Sequence, residues 1–290
     1  MLIAATKHKL RLKKTGLIED EVTSTIFGPI VDMPGGAAWN IIKGLSKASG
    51  ISKELLSDSP VDKVEANFWP DFYKNVLDEY RIHVIPDVYF HFSFQDGTSC
   101  NVLLEVKWGQ ALGPRCELVR QWTTRPRSAE EWIHLYLATW EGRGKSERDN
   151  SIEILRKGCD EFSLKCYSPN EPKFVFPQLP NKEANIWKNR LGVIGWRHVQ
   201  KLATEMTRND YPEATKRWAN GVKCFLEYHG YIPFIGFDWL QEEIMAPTSP
   251  DDDIFFHIKP WFGFLAIIEI ICNESESIFF RGQVTQFSKD

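Results

Sequence analysis

The segment from Ile82 to Trp108 constrains the fold of this chain more than any other stretch. Residues 82–94 (IHVIPDVYFHFSF) alternate and are rich in β-branched and aromatic residues, the pattern of a strand. Gln95-Asp96-Gly97 is turn chemistry, and residues 100–108 (CNVLLEVKW) return as a second strand. Into that returning strand, among Val102, Leu103, Leu104 and Val106, are set Glu105 and Lys107. Charges in such company are costly to bury without ions or partners.

The elements around the hairpin predict an α/β chain. Residues 17–31 carry Val22, Ile26 and Ile30 at helical spacing, and Pro34-Gly35-Gly36 ends the run. Residues 60–80 predict a second helix around Phe68, Phe72, Val76 and Leu77. Gly113-Pro114 marks the start of a helix with Leu118, Val119 and Trp122 on its apolar face, and residues 132–140 (WIHLYLATW) form a further strand. Residues 168–182 read as a connector, 183–207 and 211–229 as helices, the second stopped by Gly230, and 254–272 and 278–284 as strands. The expected organisation is a core over 1–165 and a mostly helical region with extra strands over 166–290, with a soft boundary near 165–180. That second region is expected to recognise substrate or a partner, because it shows no further acid, nucleophile or metal constellation.

The tripeptide Glu105-Val106-Lys107 means little alone, since roughly one E-x-K is expected by chance in a chain this long. Glu171-Pro172-Lys173 is such a decoy, and Pro70-Asp71 and Pro250-Asp251 rival Pro86-Asp87. Context separates them. Glu105 and Lys107 stand at i and i+2 of a strand and leave the same face, whereas the decoy holds a proline inside its tripeptide. If residues 95–97 make a three-residue loop with Gly97 left-handed, position 94 faces 98 and Asp87 faces Glu105. A two-residue loop would pair Asp87 with Val106 and put it on the wrong face, unless a bulge restored the register. In the first register two carboxylates and an ammonium converge. Hard oxygen donors suit Mg²⁺ or Mn²⁺, which activate water and offset phosphate charge. A neighbouring lysine orients the water, stabilises charge or, with a lowered pKa, takes its proton.

Pro86-Asp87 followed by Glu105-Val106-Lys107 resembles the PD-(D/E)XK nucleases, a superfamily of restriction enzymes, recombination exonucleases, junction resolvases and bacterial defence proteins. The resemblance spans roughly residues 15–140, about half of the chain. Many members carry a glutamate on the first core helix, and Glu19-Asp20 in IEDEVTSTIFG is similar to that element; Glu19 fits the pattern best, with Asp20 and Glu21 as alternatives. Many place a glutamine on the helix after the lysine strand, and Gln121 in ELVRQW is similar to it. The C-terminal YHGYIPFIGF is similar to defence-associated nucleases. The resemblance implies a restriction-endonuclease-like core, a mixed sheet with a central hairpin flanked by helices. It further implies a Mg²⁺-dependent nuclease acting on DNA, an endonuclease in antiviral defence, with Asp87, Glu105 and Glu19 as metal ligands and Lys107 handling the water. RNA cleavage, or a catalytically silent nucleic-acid-binding or scaffold subunit, is the alternative. The chain lacks GxxxxGK followed by Ser or Thr, so a nucleotide-driven step would need a partner ATPase or sensor subunit.

A formal charge of −4 does not announce a nucleic-acid binder, so any basic footprint must be local. The candidates are Arg115, Arg120, Arg125 and Arg127 near the site, and Lys13 and Lys14 in KHKLRLKK, the latter rivalled by a solvated amphipathic face. The histidines lack metal-ligand spacing and are expected to be structural or surface residues. Six scattered cysteines without CxxC predict a reduced, cytoplasmic protein. The N-terminus turns basic before any apolar stretch long enough for a signal peptide. The longest nearly apolar run, Trp261 to Cys272, is too short to span a bilayer and reads as buried strand.

Overall fold

A computed structural model describes residues 19–70, 85–109, 116–125, 130–158, 179–208 and 210–231, together with the backbone of three short strands beyond residue 254. Helix α1 (Glu19–Phe27) runs into a 3₁₀ turn over Gly28–Asp32. Pro34-Gly35-Gly36 does end that run, but it also opens α2 (Gly35–Ala48), a helix the sequence reading did not anticipate. Ala38, Trp39, Ile41, Ile42 and Leu45 of α2 are buried, and each of the larger ones contributes roughly 1.5–3 kcal/mol by leaving water.

Strand β1 (Val61–Phe68) lies where a helix was predicted. Val64, Ala66 and Phe68 face inward while Asp62, Glu65 and Asn67 are exposed, so the period is two and the segment pairs at the sheet edge. The remainder of that expected helix, from residue 71, lies outside the described residues. Strands β2 (Val88–Phe94) and β3 (Ser99–Val106) form the anticipated hairpin. Its loop has three residues: Gly97 is left-handed at φ +80°, Phe94 N–H donates to Thr98 O at 2.9 Å, and Gly97 N–H donates to Phe94 O at 3.0 Å. The pairing Val88↔Leu104 through Ser93↔Ser99 is the register that brings Asp87 level with Glu105.

Helix α3 (Glu117–Thr124) crosses to β4 (Glu131–Ala138), which pairs parallel to β3. Then come α4 (Glu141–Lys157) and α5 (Pro180–Lys188), followed by β5 (Leu191–Gly195), α6 (Trp196–Arg208) and α7 (Glu213–Tyr228). The single helix expected over 183–207 is therefore two helices with a strand between them. All five residues of β5 are buried, and it pairs parallel to β4. A strand covered on both faces shows no alternation, which is why LGVIG passed as helix. The α7 helix ends as anticipated, with Gly230 at φ +83° donating to Glu227 O at 3.0 Å.

The five-stranded mixed sheet has order β1-β2-β3-β4-β5, antiparallel on the β1 side and parallel on the β5 side. Even-numbered β3 residues Val102, Leu104 and Val106 pack with Val22 and Ile26 of α1, Trp39 of α2, Val199 of α6 and Trp218 of α7. Leu103 and β4's Tyr136 share the other face with Leu118 and Trp122 of α3, Leu155 of α4 and Trp187 of α5. Helices on both faces make this an α/β layer architecture.

The expected boundary near 165–180 fails. Strand β5 is hydrogen-bonded into the first sheet, and the compact units are 1–233 and 234–290. Residues 183–231 thus complete the core and are not a separate recognition module. In the second unit, β6 (Phe255–His257), β7 (Ile267–Ile271) and β8 (Phe279–Gly282) form an antiparallel sheet within the regions expected as strands. The uniformly reduced reading also fails: Cys116 is disulfide-bonded, while Cys100 and Cys224 carry free thiols. Sequence spacing cannot report which cysteines the fold brings together. Among the described residues no helix is long and apolar enough to cross a membrane.

Candidate metal centre

The site forms where β3 ends. Glu105 and Lys107 leave the same face of the strand, and Lys107 N–H extends the β3–β4 ladder by donating to Leu137 O at 2.8 Å. From the other side, the indole N–H of Trp196 caps Lys107 O at 2.8 Å. Asp87 directly precedes β2. Its Oδ2 accepts the Val106 N–H at 2.8 Å and its Oδ1 the indole N–H of Trp69, at the end of β1, at 3.2 Å. Three strands therefore fix this one carboxylate.

Helix α1 delivers Glu19 from its first turn, where a carboxylate also suits the helix dipole. Glu19 Oε1 accepts from Lys107 Nζ at 3.0 Å, and Oε2 accepts the Trp108 N–H at 3.2 Å. Of the three acidic candidates, Glu19 is the one whose carboxylate is grouped with those of Asp87 and Glu105. Ligand oxygens of Glu19, Asp87 and Glu105 all lie within 4.8 Å of one another. Lys107 Nζ stands 2.5 Å from Glu105 Oε1 and 3.4 Å from Glu117 Oε2. Glu117, in the first turn of α3, was not singled out from sequence, because an acidic residue there is ordinary.

These groups are nearly sealed from water: Glu105 is 2%, Asp87 6% and Lys107 7% exposed. Among the described residues, four carboxyl groups (Glu19, Asp87, Glu105, Glu117) converge around the Lys107 ammonium. Burial, only partly offset by Lys107 and worsened by Glu19, raises the Asp87 carboxyl to about 7. Burial followed by repulsion from Asp87 and Glu117 lifts Glu105 well above the carboxylate range. For Lys107, burial acts downward, but Glu105, Glu117, Asp87 and Glu19 together hold the ammonium above its ordinary pKa. The donors are hard carboxyl oxygens whose ionised forms are disfavoured without a further cation, and they fit a Mg²⁺-like ion.

Gln121 on α3 is fully buried, and its amide nitrogen donates to Glu105 Oε2 at 2.6 Å. Behind it stands His134 of β4, its ring nearly parallel to those of Trp122 and Trp187, whose centroids lie 6.5 and 5.9 Å from it and 5.8 Å from each other. An indole N–H only donates, so Trp187 Nε1, at 3.2 Å, makes His134 Nδ1 the acceptor. His134 Nε2 then carries the proton and donates to Gln121 Oε1 at 2.9 Å. The chain Trp187–His134–Gln121–Glu105 sets the amide orientation and ties α5, β4 and α3 to the acidic cluster. A histidine inside the apolar stretch WIHLYLATW was the available signal for this buried role.

Burial, with a smaller push from Arg125, lowers His134 to about 3 from 6.5. The unfolded chain therefore takes up a proton near pH 6.5 while the folded protein does not until about pH 3. Stability from this group is complete above pH 6.5 and falls by about 1.4 kcal/mol per pH unit below it. In urea melts, the stability gap between wild type and His134→Gln should narrow by about 2 kcal/mol from pH 8 to pH 5. Parallel stability profiles would show that His134 is not held neutral.

The basic group meets a different fate. Arg120 is buried and does not offer its guanidinium to the surface. Arg125 lies 3.6 Å over the Trp122 ring, donates to Trp122 O at 2.6 Å and pairs with Glu183 of α5 at 3.2 Å. Arg125 thus ties α3 to α5, and the burial of Arg120 departs from the expected surface position: an amphipathic helix packed on a sheet turns part of its basic set inward. Arg115, Arg127, Lys13 and Lys14 lie outside the described residues, as do the decoys Glu171, Asp71 and Asp251. No family model, curated protein or solved structure matches the chain.

Proposed function

We propose that the chain is a divalent-cation-dependent nuclease of the PD-(D/E)XK type, hydrolysing phosphodiester bonds in DNA. The observation that carries this reading is the convergence of Glu19, Asp87 and Glu105 within 4.8 Å, with Lys107 bonded to Glu19 and Glu105. Asp87, Glu105 and Glu19 would hold Mg²⁺ or Mn²⁺, which supplies Lewis acidity and a water made nucleophilic at neutral pH. Gln121 keeps the Glu105 carboxylate aimed into the cluster. Lys107 remains an ammonium among its carboxylates, so it orients the attacking water and offsets charge developing on the phosphate. In the cation-free site the surrounding carboxylates favour the charged form of Lys107, which supports a donor role over that of a base.

The test is incubation of the purified protein with linear, circular and single-stranded DNA and with RNA, in Mg²⁺, Mn²⁺ or EDTA. Cleavage of DNA that depends on the cation and stops in EDTA is expected; RNA cleavage alone would change the substrate but keep the chemistry. A protein that binds the cation yet cuts none of these would leave the silent nucleic-acid-binding or scaffold reading, or dependence on a partner ATPase or sensor. Roles in antiviral defence follow only from the resemblance and stand or fall with the cleavage result.

A further inference from the structure

Beside the carboxylate cluster, one aromatic residue breaks the pattern of the core. Trp140, directly before α4, is 74% exposed, whereas Trp122, Trp187 and Trp196 are fully buried. A tryptophan left in water forgoes the large burial gain of its ring, and its flat face is free to stack. It borders a recess of about 140 Å³ whose walls include Gly109, Tyr136, Thr139, Arg143 and Glu147. Tyr136 is the β4 residue paired with Glu105, Gly109 lies two residues beyond Lys107, and Thr139 Oγ1 donates to Lys107 O at 3.5 Å. Neighbouring strands are about 4.8 Å apart, so the recess lies within the reach of one nucleotide from the cluster.

The charges around the recess also suit a nucleotide. Arg143 is largely exposed and, among the described residues, pairs only with Glu147, four residues on, at 3.3 Å. An exposed pair of that kind is worth little and exchanges readily for a phosphate. Glu147 is further held by the Tyr136 hydroxyl, which donates to it at 2.5 Å, so its carboxylate has a partner when Arg143 turns away.

We propose that Trp140 and Arg143 form a subsite for an unpaired nucleotide flanking the scissile phosphate, the base stacking on Trp140 and its phosphate contacting Arg143. A base inside a duplex is stacked on both faces and cannot offer one to Trp140, so the preferred substrate is single-stranded or locally opened nucleic acid. The subsite rests on the nuclease reading for its role in cleavage, but binding can be measured without cleavage.

The experiment is fluorescence anisotropy of a labelled oligothymidylate and of a blunt duplex of equal length, in EDTA, with wild type, Trp140→Ala, Trp140→Phe and Arg143→Gln. Trp140→Ala should weaken oligothymidylate binding roughly 5- to 150-fold, the range of a lost base stack, and Trp140→Phe should restore most of it. Arg143→Gln should weaken it and flatten its salt dependence. Duplex binding should change much less, and thermal melts of Trp140→Ala should match wild type because the ring is exposed. Several results would overturn the subsite: no oligothymidylate binding by wild type, unchanged binding in Trp140→Ala, no rescue by Trp140→Phe, or equal losses on the duplex. Trp140-dependent binding without cleavage in Mg²⁺ or Mn²⁺ would sustain the subsite and sink the nuclease reading. Cleavage with a KM unaltered in Trp140→Ala would do the reverse.

Discussion

Lys107→Met is expected to abolish cleavage while leaving cation binding in place. The ammonium bonds Glu19 at 3.0 Å and Glu105 at 2.5 Å but is no ligand itself, so removing it takes away the donor that acts on water and phosphate charge. Loss of a positioned group of this kind costs ~10² to 10⁴ in rate. Methionine keeps the length of the stem and so separates lost charge from lost packing, which Lys107→Ala does not. The variant also removes the ammonium around which the four carboxyl groups converge. Its cation-free form should therefore melt lower than wild type, and Mn²⁺ should raise its melting temperature by more. A near-wild-type rate for Lys107→Met would show that the lysine only neutralises its neighbours. Cleavage kept in Lys107→Met but lost in Lys107→Ala would make the stem structural and the proposed chemistry wrong.

The heart of this site was legible because it rests on two short-range rules. Strand alternation puts Glu105 and Lys107 on one face, and a left-handed glycine at 97 makes the loop odd, so Asp87 comes level with Glu105. Glu19 and Gln121 came through the resemblance, and the fold brings each onto the cluster. What the sequence hid depends on tertiary packing. Strand β5 is buried on both faces and has no period to read. Strand β1 is an edge strand whose Val64 and Ala66 are only partly buried, and the apolar positions from Phe68 onward imitated a helix. Pro34-Gly35-Gly36 ends one helical run and starts another, and only the ending was read. Glu117 looked like a helix-dipole residue until the fold placed it 3.4 Å from Lys107. Arg120 read as a surface residue because spacing does not say which side of a short helix faces the sheet, and the fold buries it. The boundary failed for a similar reason: a proline-rich connector need not separate domains when the strand after it returns to the same sheet.

The second large effect concerns the cation itself. Mg²⁺ or Mn²⁺ at a hundredfold excess over its Kd should stabilise the folded protein by about 2.7 kcal/mol, a rise in melting temperature of about 5–10 °C. Without it, Asp87 holds a proton to about pH 7, whereas the unfolded chain releases it near 3.8. A carboxyl raised in the folded state favours folding most below the unfolded value, and that contribution is lost as pH rises from about 4 to 7. The cation-free protein should lose stability from this group over that window, and the cation-induced shift should be larger at pH 8 than at pH 5, because the ion must displace the proton at low pH. Asp87→Asn and Glu105→Gln each replace a carboxyl group, able to become an anionic oxygen donor for a hard cation, by a neutral amide. Each should cancel the cation-induced shift and abolish cleavage, while Glu105→Gln keeps an acceptor for the Gln121 amide and melts no lower than wild type at pH 8 in EDTA. If Glu105→Gln unfolded in EDTA but kept its response to Mn²⁺, Glu105 would be a structural partner of Lys107 and the ligand set would have to be sought elsewhere.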